Sequence, residues 1–366
     1  IRTDYPDPAV YDTLPKLLCL HAKEHPDEIA IREKDLGIWK PMTWRDYRDR
    51  VKDFAYGLKA LGVEKGEVVG IIGDNRPDWA AAEIAIHAVG GMSLGVYRDA
   101  LDQEVAYLIN YGQMRVIFAE DEEQVDKLLA LEDQIPSVEK IVYSDPRGMR
   151  KYDDPRLLDA ADLARDAEAL EHDKPSLFDE MVQATSGNDV SILCTTSGTT
   201  SNPKLAMFES GKFIRHVHHY LAADPKDESD EYVSVLPAPW IMEQIYVFGM
   251  ALVSRMKVNF PEEQETAMHD LREIGPTFLL LAPRVWEHIA ADVRSRIMDA
   301  SPLKRWAFEV GSKMGIEAVE QGTHSKVADV LLFDSLRDRL GFSNLRSAAT
   351  GGAAMGPETF KFFQAM

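Results

Sequence analysis

The chain has 366 residues, 45% hydrophobic and 28% charged, with 41 lysines and arginines against 61 aspartates and glutamates and a formal net charge of −20. That length accommodates one large or two medium globular domains, and no segment is low-complexity or repeated at a fixed period. So acidic a chain repels polyphosphate at long range, which argues against nucleic acid as a partner and disfavours an anionic membrane surface unless a local basic patch overrides the average.

The N-terminus, IRTDYPDPAVYD, lacks the basic and apolar regions of a signal peptide. The first predicted helix covers 44–61. Thr43 caps it, Asp46 takes the acidic place of a capping box, and Tyr47, Val51, Phe54, Leu58 and Leu61 fall on one face. Residues 67–72 read as a buried strand and Gly73 to Pro77 as a loop, with Pro77 opening a helix through 89. The apolar run Trp79 to Val96 is interrupted by Glu83, His87 and Gly90-Gly91, so it predicts a buried helix and a turn, not a membrane span. Strands at 92–96, 114–119 and 140–143 alternate with helices at 102–111 and 122–131, the pattern of a parallel sheet covered by helices. The charged, proline-bearing segment 145–180 predicts a connection between two sublobes, residues 1–185 and 186–366.

The second sublobe repeats the style. Strands are predicted at 190–195, 232–236, 277–281 and 345–349, each running into a loop of Gly, Pro, Ser or Thr. In open α/β sheets, ligands bind outside such strand ends. From Pro357 a helix begins that reaches Met366 without a cap, so a longer natural chain is expected.

The most informative segment is TTSGTTSNPK, Thr195 to Lys204. Backbone N–H groups and hydroxyls at a glycine bend cradle phosphate oxygens, and a lysine adds a point charge. It is not a kinase-type P-loop. Counting from Gly198, that pattern needs glycine at 203 and Ser or Thr at 205, where the chain has Pro203 and Leu205, and Lys204 to Phe208 reads as extended rather than helical.

The segment resembles the phosphate-binding loop of the adenylate-forming superfamily, roughly T-S-G-T-T-G-x-P-K-G. Thr196, Ser197, Gly198, Thr199, Thr200, Pro203 and Lys204 match; Ser201 and Leu205 depart from it. LPAPWIMEQ from Leu236 and PTFLLLAPRVWEHI from Pro276 resemble motifs of the long-chain fatty acyl-CoA synthetase branch, and TGGAAMGPETFKFF from Thr350 and, upstream, GDNRPDW from Gly73 resemble further family motifs, all in the family's order. The likeness spans about Tyr11 to Phe363.

The resemblance implies an α/β fold of layered sheets flanked by helices, in two sublobes. It implies ATP-dependent activation of a fatty acid to acyl-AMP and then acyl-CoA, releasing pyrophosphate and AMP, with ATP, Mg²⁺ and coenzyme A. It gives catalytic parts to Lys204, Thr199 and Trp240. Nucleotide contacts fall to Thr196, Ser197, Gly198, Thr199, Thr200, Ser201, Lys204, Gly351, Gly352 and Ala353. No residue of this chain is assigned to the metal: the family's Y-G-x-T-E motif, whose Glu helps to hold Mg²⁺, and the small C-terminal domain with its Lys are not in the sequence. Thiol transfer to a carrier protein and a non-catalytic nucleotide-binding relative are the alternatives. Trp240, Ile245, Phe248 and Met250 are candidates for the apolar acyl pocket, where each buried methylene contributes about 0.8 kcal/mol.

His216, His218 and His219 on a predicted helix lack an accompanying carboxylate pattern, and HAKEH from His21 lacks the Glu of H-E-x-x-H, so neither reads as a metal site. Cys19 and Cys194 read as reduced thiols of a cytoplasmic protein. A fatty substrate leaves room for a peripheral membrane contact, although no amphipathic basic helix stands out, and oligomers stay open.

Overall fold

The computed structural model describes residues 4–196 and 203–366. Thirteen strands are found among them: β1 (Ile29–Asp35), β2 (Ile38–Thr43), β3 (Val68–Ile72), β4 (Met92–Val96), β5 (Val116–Ala119), β6 (Lys140–Tyr143), β7 (Leu157–Asp159), β8 (Val190–Thr196), β9 (Lys204–Glu209), β10 (Glu231–Val233), β11 (Lys257–Phe260), β12 (Phe278–Leu280) and β13 (Ser347–Ala349). The fold is α/β, with mixed sheets flanked by helices. By contacts the chain forms two compact units, residues 1–229 with 237–260, and residues 230–236 with 261–366.

In the first unit, seven strands lie in the order β7-β6-β5-β3-β4-β8-β9. All neighbours are parallel except the antiparallel hairpin β8–β9. The interior strands are short and apolar on both faces, as parallel strands under helices must be. Leu94, Ile117 and Ile141 are fully enclosed, with Val105, Ile109, Val125 and Leu128 of the covering helices packed over them. The helix Trp44–Ala60 begins as its sequence predicts: Asp46 N donates to Thr43 Oγ1 at 3.2 Å, and Thr43 N donates to Asp46 Oδ2 at 2.9 Å. The helix Pro77–Ala88 is buried on every side, which explains its lack of a polar face. Separately, β1 pairs antiparallel with β2 and parallel with β11.

The segment 145–180 is more ordered than a connection. It holds β7, the helix Ala160–Asp173 capped by Asp159, and the start of the helix Leu177–Ala184. Its charges occupy solvated faces while Leu163 and Ala167 are buried.

In the second unit, β10, β12 and β13 are parallel neighbours. Val233, Leu279 and Leu281 pack with Leu271, Trp286, Ile289 and Phe342. Among the described residues, no helix is long and apolar enough to cross a membrane.

Candidate active site

In the first unit, parallel pairing sets the C-terminal ends of β3, β4 and β8 along one edge of the sheet. The chain leaves β8 at that edge, and the antiparallel register brings it back with Thr196 opposite Lys204. Thr196 Oγ1 donates to the Lys204 carbonyl at 3.3 Å, and both side chains are exposed. The segment between them, with Ser197, Gly198, Thr199, Thr200 and Ser201, lies outside the described residues.

A second segment reaches the same edge. Pro237 to Gln244 is tied down by buried amides: Ala238 N donates to Asn75 Oδ1 at 2.8 Å, and Gln244 Nε2 donates to the Ala238 carbonyl at 2.8 Å. Asn75 stands three residues beyond the end of β3. Gly95 of β4 lets the segment approach closely, since a Cβ there would lie 3.0 Å from both Pro239 Cα and Trp79 Cζ2. Trp240, half-buried, ends this turn, its N–H donating to the Pro237 carbonyl at 3.0 Å. The following residues, Gln244–Met250, form a π-helix and are buried throughout, a rare form that tends to occur at functional sites. The structure therefore places Thr196 at the end of β8, Lys204 at the start of β9 and Trp240 in a turn, all at one edge of the sheet.

Beneath the Trp240 segment lies a group that the motifs do not name. Glu83 is fully buried and accepts from Trp79 Nε1 at 3.2 Å, Ser93 Oγ at 3.0 Å and Gln244 Nε2 at 3.1 Å. Burial, with no lysine or arginine partner among the described residues, raises its carboxyl to about 7, and the three donors oppose that rise. His87 Nε2 lies 2.9 Å from Ser93 Oγ, and burial holds this imidazole neutral, down at about 3. Ser93 Oγ is also 3.2 Å from the Ser191 carbonyl of β8. One cluster thus touches the strand that leads to the phosphate-loop segment and the turn that carries Trp240. Its sequence signal was the interruption of an apolar run by Glu83 and His87; Asn75 and Gln244 fall within the segments GDNRPDW and LPAPWIMEQ, which mark them as motif residues without showing this contact.

In the second unit, Gly351, Gly352 and Ala353 follow β13. Gly352 has φ +87°, and Gly352 and Ala353 are exposed. Thr350 Oγ1 is buried and has no hydrogen-bond partner among the described residues. It borders a cavity of about 430 Å³ walled by Trp286, Phe342, Leu345, Met355 and Phe363, a size in the usual range for small-molecule sites.

Among the described residues, one group could offer three metal ligands, His269, Asp270 and Glu273. Asp270 is already engaged by Glu262 N at 2.9 Å and Thr266 Oγ1 at 2.8 Å. His216 packs edge-on against Tyr220 within the helix Ser210–Ala223. Cys19 and Cys194 are free, and burial pushes their thiols up to about 11 and about 12, far from the thiolate.

Residues 20–366 match the model of the AMP-binding enzyme family. The chain belongs to that family. It is 26% identical over 374 residues to a long-chain-fatty-acid–CoA ligase, ACSBG2, of Xenopus laevis, covering 96% of this chain and 49% of the relative. It is 24% identical to the long-chain-fatty-acid–CoA ligase FadD15 of Mycobacterium bovis, covering 97% and 58%. This member of the family therefore spans about half the length of the relatives it matches. Its fold is similar to the A-PCP didomain of the carboxylic acid reductase from Segniliparus rugosus in complex with AMP, with a TM-score of 0.71 at 20% identity, covering 99% of this chain and 53% of that one. It is also similar to the luciferase-like enzyme of the mealworm Zophobas morio, with a TM-score of 0.68 at 17% identity, covering 96% and 69%.

Proposed function

We propose that the chain activates a carboxylic acid, with a long-chain fatty acid as substrate, by forming acyl-AMP from ATP and then passing the acyl group to coenzyme A. The observation that carries this reading is the exposed Lys204 paired with Thr196 across the neck of a Ser/Thr/Gly segment at the ends of parallel strands. The names of the relatives support the fatty acid and the CoA acceptor.

In the first half-reaction a carboxylate oxygen bonds to the α-phosphorus of ATP, and the bond to the β-bridging oxygen breaks to release pyrophosphate. Two anions meet, so the reaction needs positive charge and oriented donors where negative charge grows. Lys204 supplies the charge, and the hydroxyls of Thr196, Ser197, Thr199, Thr200 and Ser201 supply donors. In the second half-reaction a thiol sulfur attacks the acyl carbon and AMP leaves. Trp240, fixed by Asn75 and Gln244, is assigned to the acyl substrate near its carboxylate. Gly351, Gly352 and Ala353 are assigned to the nucleobase. The Thr350 hydroxyl, without a partner among the described residues, fits a neighbouring polar ligand, and the positive φ at position 352 favours glycine, which leaves that point of the loop without a Cβ. Mg²⁺ offsets phosphate charge when it arrives with ATP, and no ligand for it is assigned among the described residues. Transfer to a carrier-protein thiol is the second reading, favoured by the similarity to an A-PCP didomain.

Mass spectrometry of products from ATP, Mg²⁺, CoA and mixed fatty acids tests the proposal. AMP with acyl-CoA is expected. Acyl-AMP alone would favour the second reading, and ADP would overturn the loop assignment. Lys204→Ala is expected to slow acyl-AMP formation by roughly a hundredfold or more with unchanged thermal unfolding. An unchanged rate would remove Lys204 from the site.

A further inference from the structure

The corner between the helix Pro283–Met298 and the helix Pro302–Glu320 departs from the acidic character of the chain. Arg294, Arg296, Lys304 and Arg305 are all exposed there. Among the described residues none of the four has a carboxylate partner, and the intervening sequence carries one anion, Asp299. Elsewhere in the second unit, Arg337 is bound by Asp329 and Asp334, and Arg346 by Asp230.

The same corner exposes large apolar side chains: Met298 at 73%, Leu303 at 72% and Trp306 at 53%. Helical spacing groups them with the cations. Arg294 and Met298 are four apart on one helix, and Leu303 and Trp306 three apart on the next. The second helix is anchored further along. Phe308 lies 6.1 Å from Phe362, and Gly311 and Gly315 admit Leu332 and Phe333 to the helix backbone. Its first turn is left bare.

An exposed tryptophan with exposed leucine and methionine at the same corner, among cations that have no carboxylate partner among the described residues, suits one surface chemistry. Indole settles at the level of lipid headgroups, aliphatic side chains enter below it, and Lys and Arg extend toward lipid phosphates. We propose that this corner is a peripheral docking surface for a bilayer containing anionic lipids, with Leu303 and Trp306 entering and Arg294, Arg296, Lys304 and Arg305 engaging the headgroups. The surface lies wholly in the second unit and does not depend on the adenylation reading.

The test is sedimentation of the whole chain with two kinds of vesicle, phosphatidylcholine alone and phosphatidylcholine mixed equally with phosphatidylglycerol. Binding to the mixed vesicles, weakened by added salt, is expected. Trp306→Ala, and separately Lys304→Glu with Arg305→Glu, are expected to lower partitioning roughly tenfold or more. All three positions are exposed, and circular dichroism checks that the variants fold. Equal binding to both kinds of vesicle, absent binding to the mixed ones, or binding that both variants leave intact would overturn the proposal. So would a wild-type dimer that Trp306→Ala dissociates while neither vesicle binds. Product formation from detergent-dispersed acid, measured in parallel, is expected to be unchanged in the variants.

Discussion

Glu83 is a buried carboxyl with no lysine or arginine partner among the described residues, and its burial disfavours its charge more than its three donors favour it. Its rise from 4.5 to about 7 means that the folded chain binds a proton there that the unfolded chain has released. Stability from this group is complete below pH 4.5 and is lost as pH rises through about 7, an effect of about 3 kcal/mol. His21 and His87 act in the opposite sense: burial lowers them to about 4 and about 3, so their contribution is present above pH 6.5 and is lost on acidification. Glu83→Gln isolates the first effect. Relative to wild type, its melting temperature is expected to climb between pH 5 and pH 8 and to differ little at pH 5. A difference that stays flat with pH would show that Glu83 is ionised throughout. The sequence hinted at this group by placing Glu83 and His87 inside an apolar run, yet the ties through Asn75 and Gln244 join residues more than 160 positions apart, and no local pattern encodes such a meeting.

Elements were legible to the extent that their cause was local. The helix Trp44–Ala60 follows from an N-terminal cap and one apolar stripe, and β9 follows from the extended reading of Lys204 to Phe208. The hairpin β1–β2 was not, because charged and half-exposed residues fill it and its pairing partner is distant. The π-helix Gln244–Met250 was likewise hidden, since an apolar run gives no hint of i→i+5 bonding. In the candidate site, the phosphate-loop motif marked Thr196 and Lys204, whereas the support for Trp240 comes from packing between elements. Gly95 of β4 is the clearest case. Gly95→Ala would set a methyl group 3.0 Å from the Pro239 backbone, so the Trp240 turn must shift. A loss of about 1–3 kcal/mol in urea unfolding and slower acyl-AMP formation are expected. Wild-type values for both would mean that the turn tolerates displacement.

At the scale of the molecule, a net charge of −20 sets excess repulsion against many surface ion pairs. Exposed pairs contribute roughly 0–1 kcal/mol each, while the unbalanced charge opposes compaction as a whole. The melting temperature is therefore expected to rise as NaCl goes from about 0.01 M to about 0.3 M, where screening shortens from roughly 30 Å to below 10 Å. A fall would mean that the paired charges dominate. The pairing of β1 with β11 also has a consequence for synthesis. Arg32 and Asn259, neighbours across these strands, are separated by 227 positions. At roughly 5–20 residues per second, a ribosome exposes β1 on the order of tens of seconds before β11 emerges. Throughout that interval one edge of β1 has no native strand to meet. The nascent chain is therefore open to misassociation at this edge, and a chaperone that shields β1 until β11 emerges would protect it.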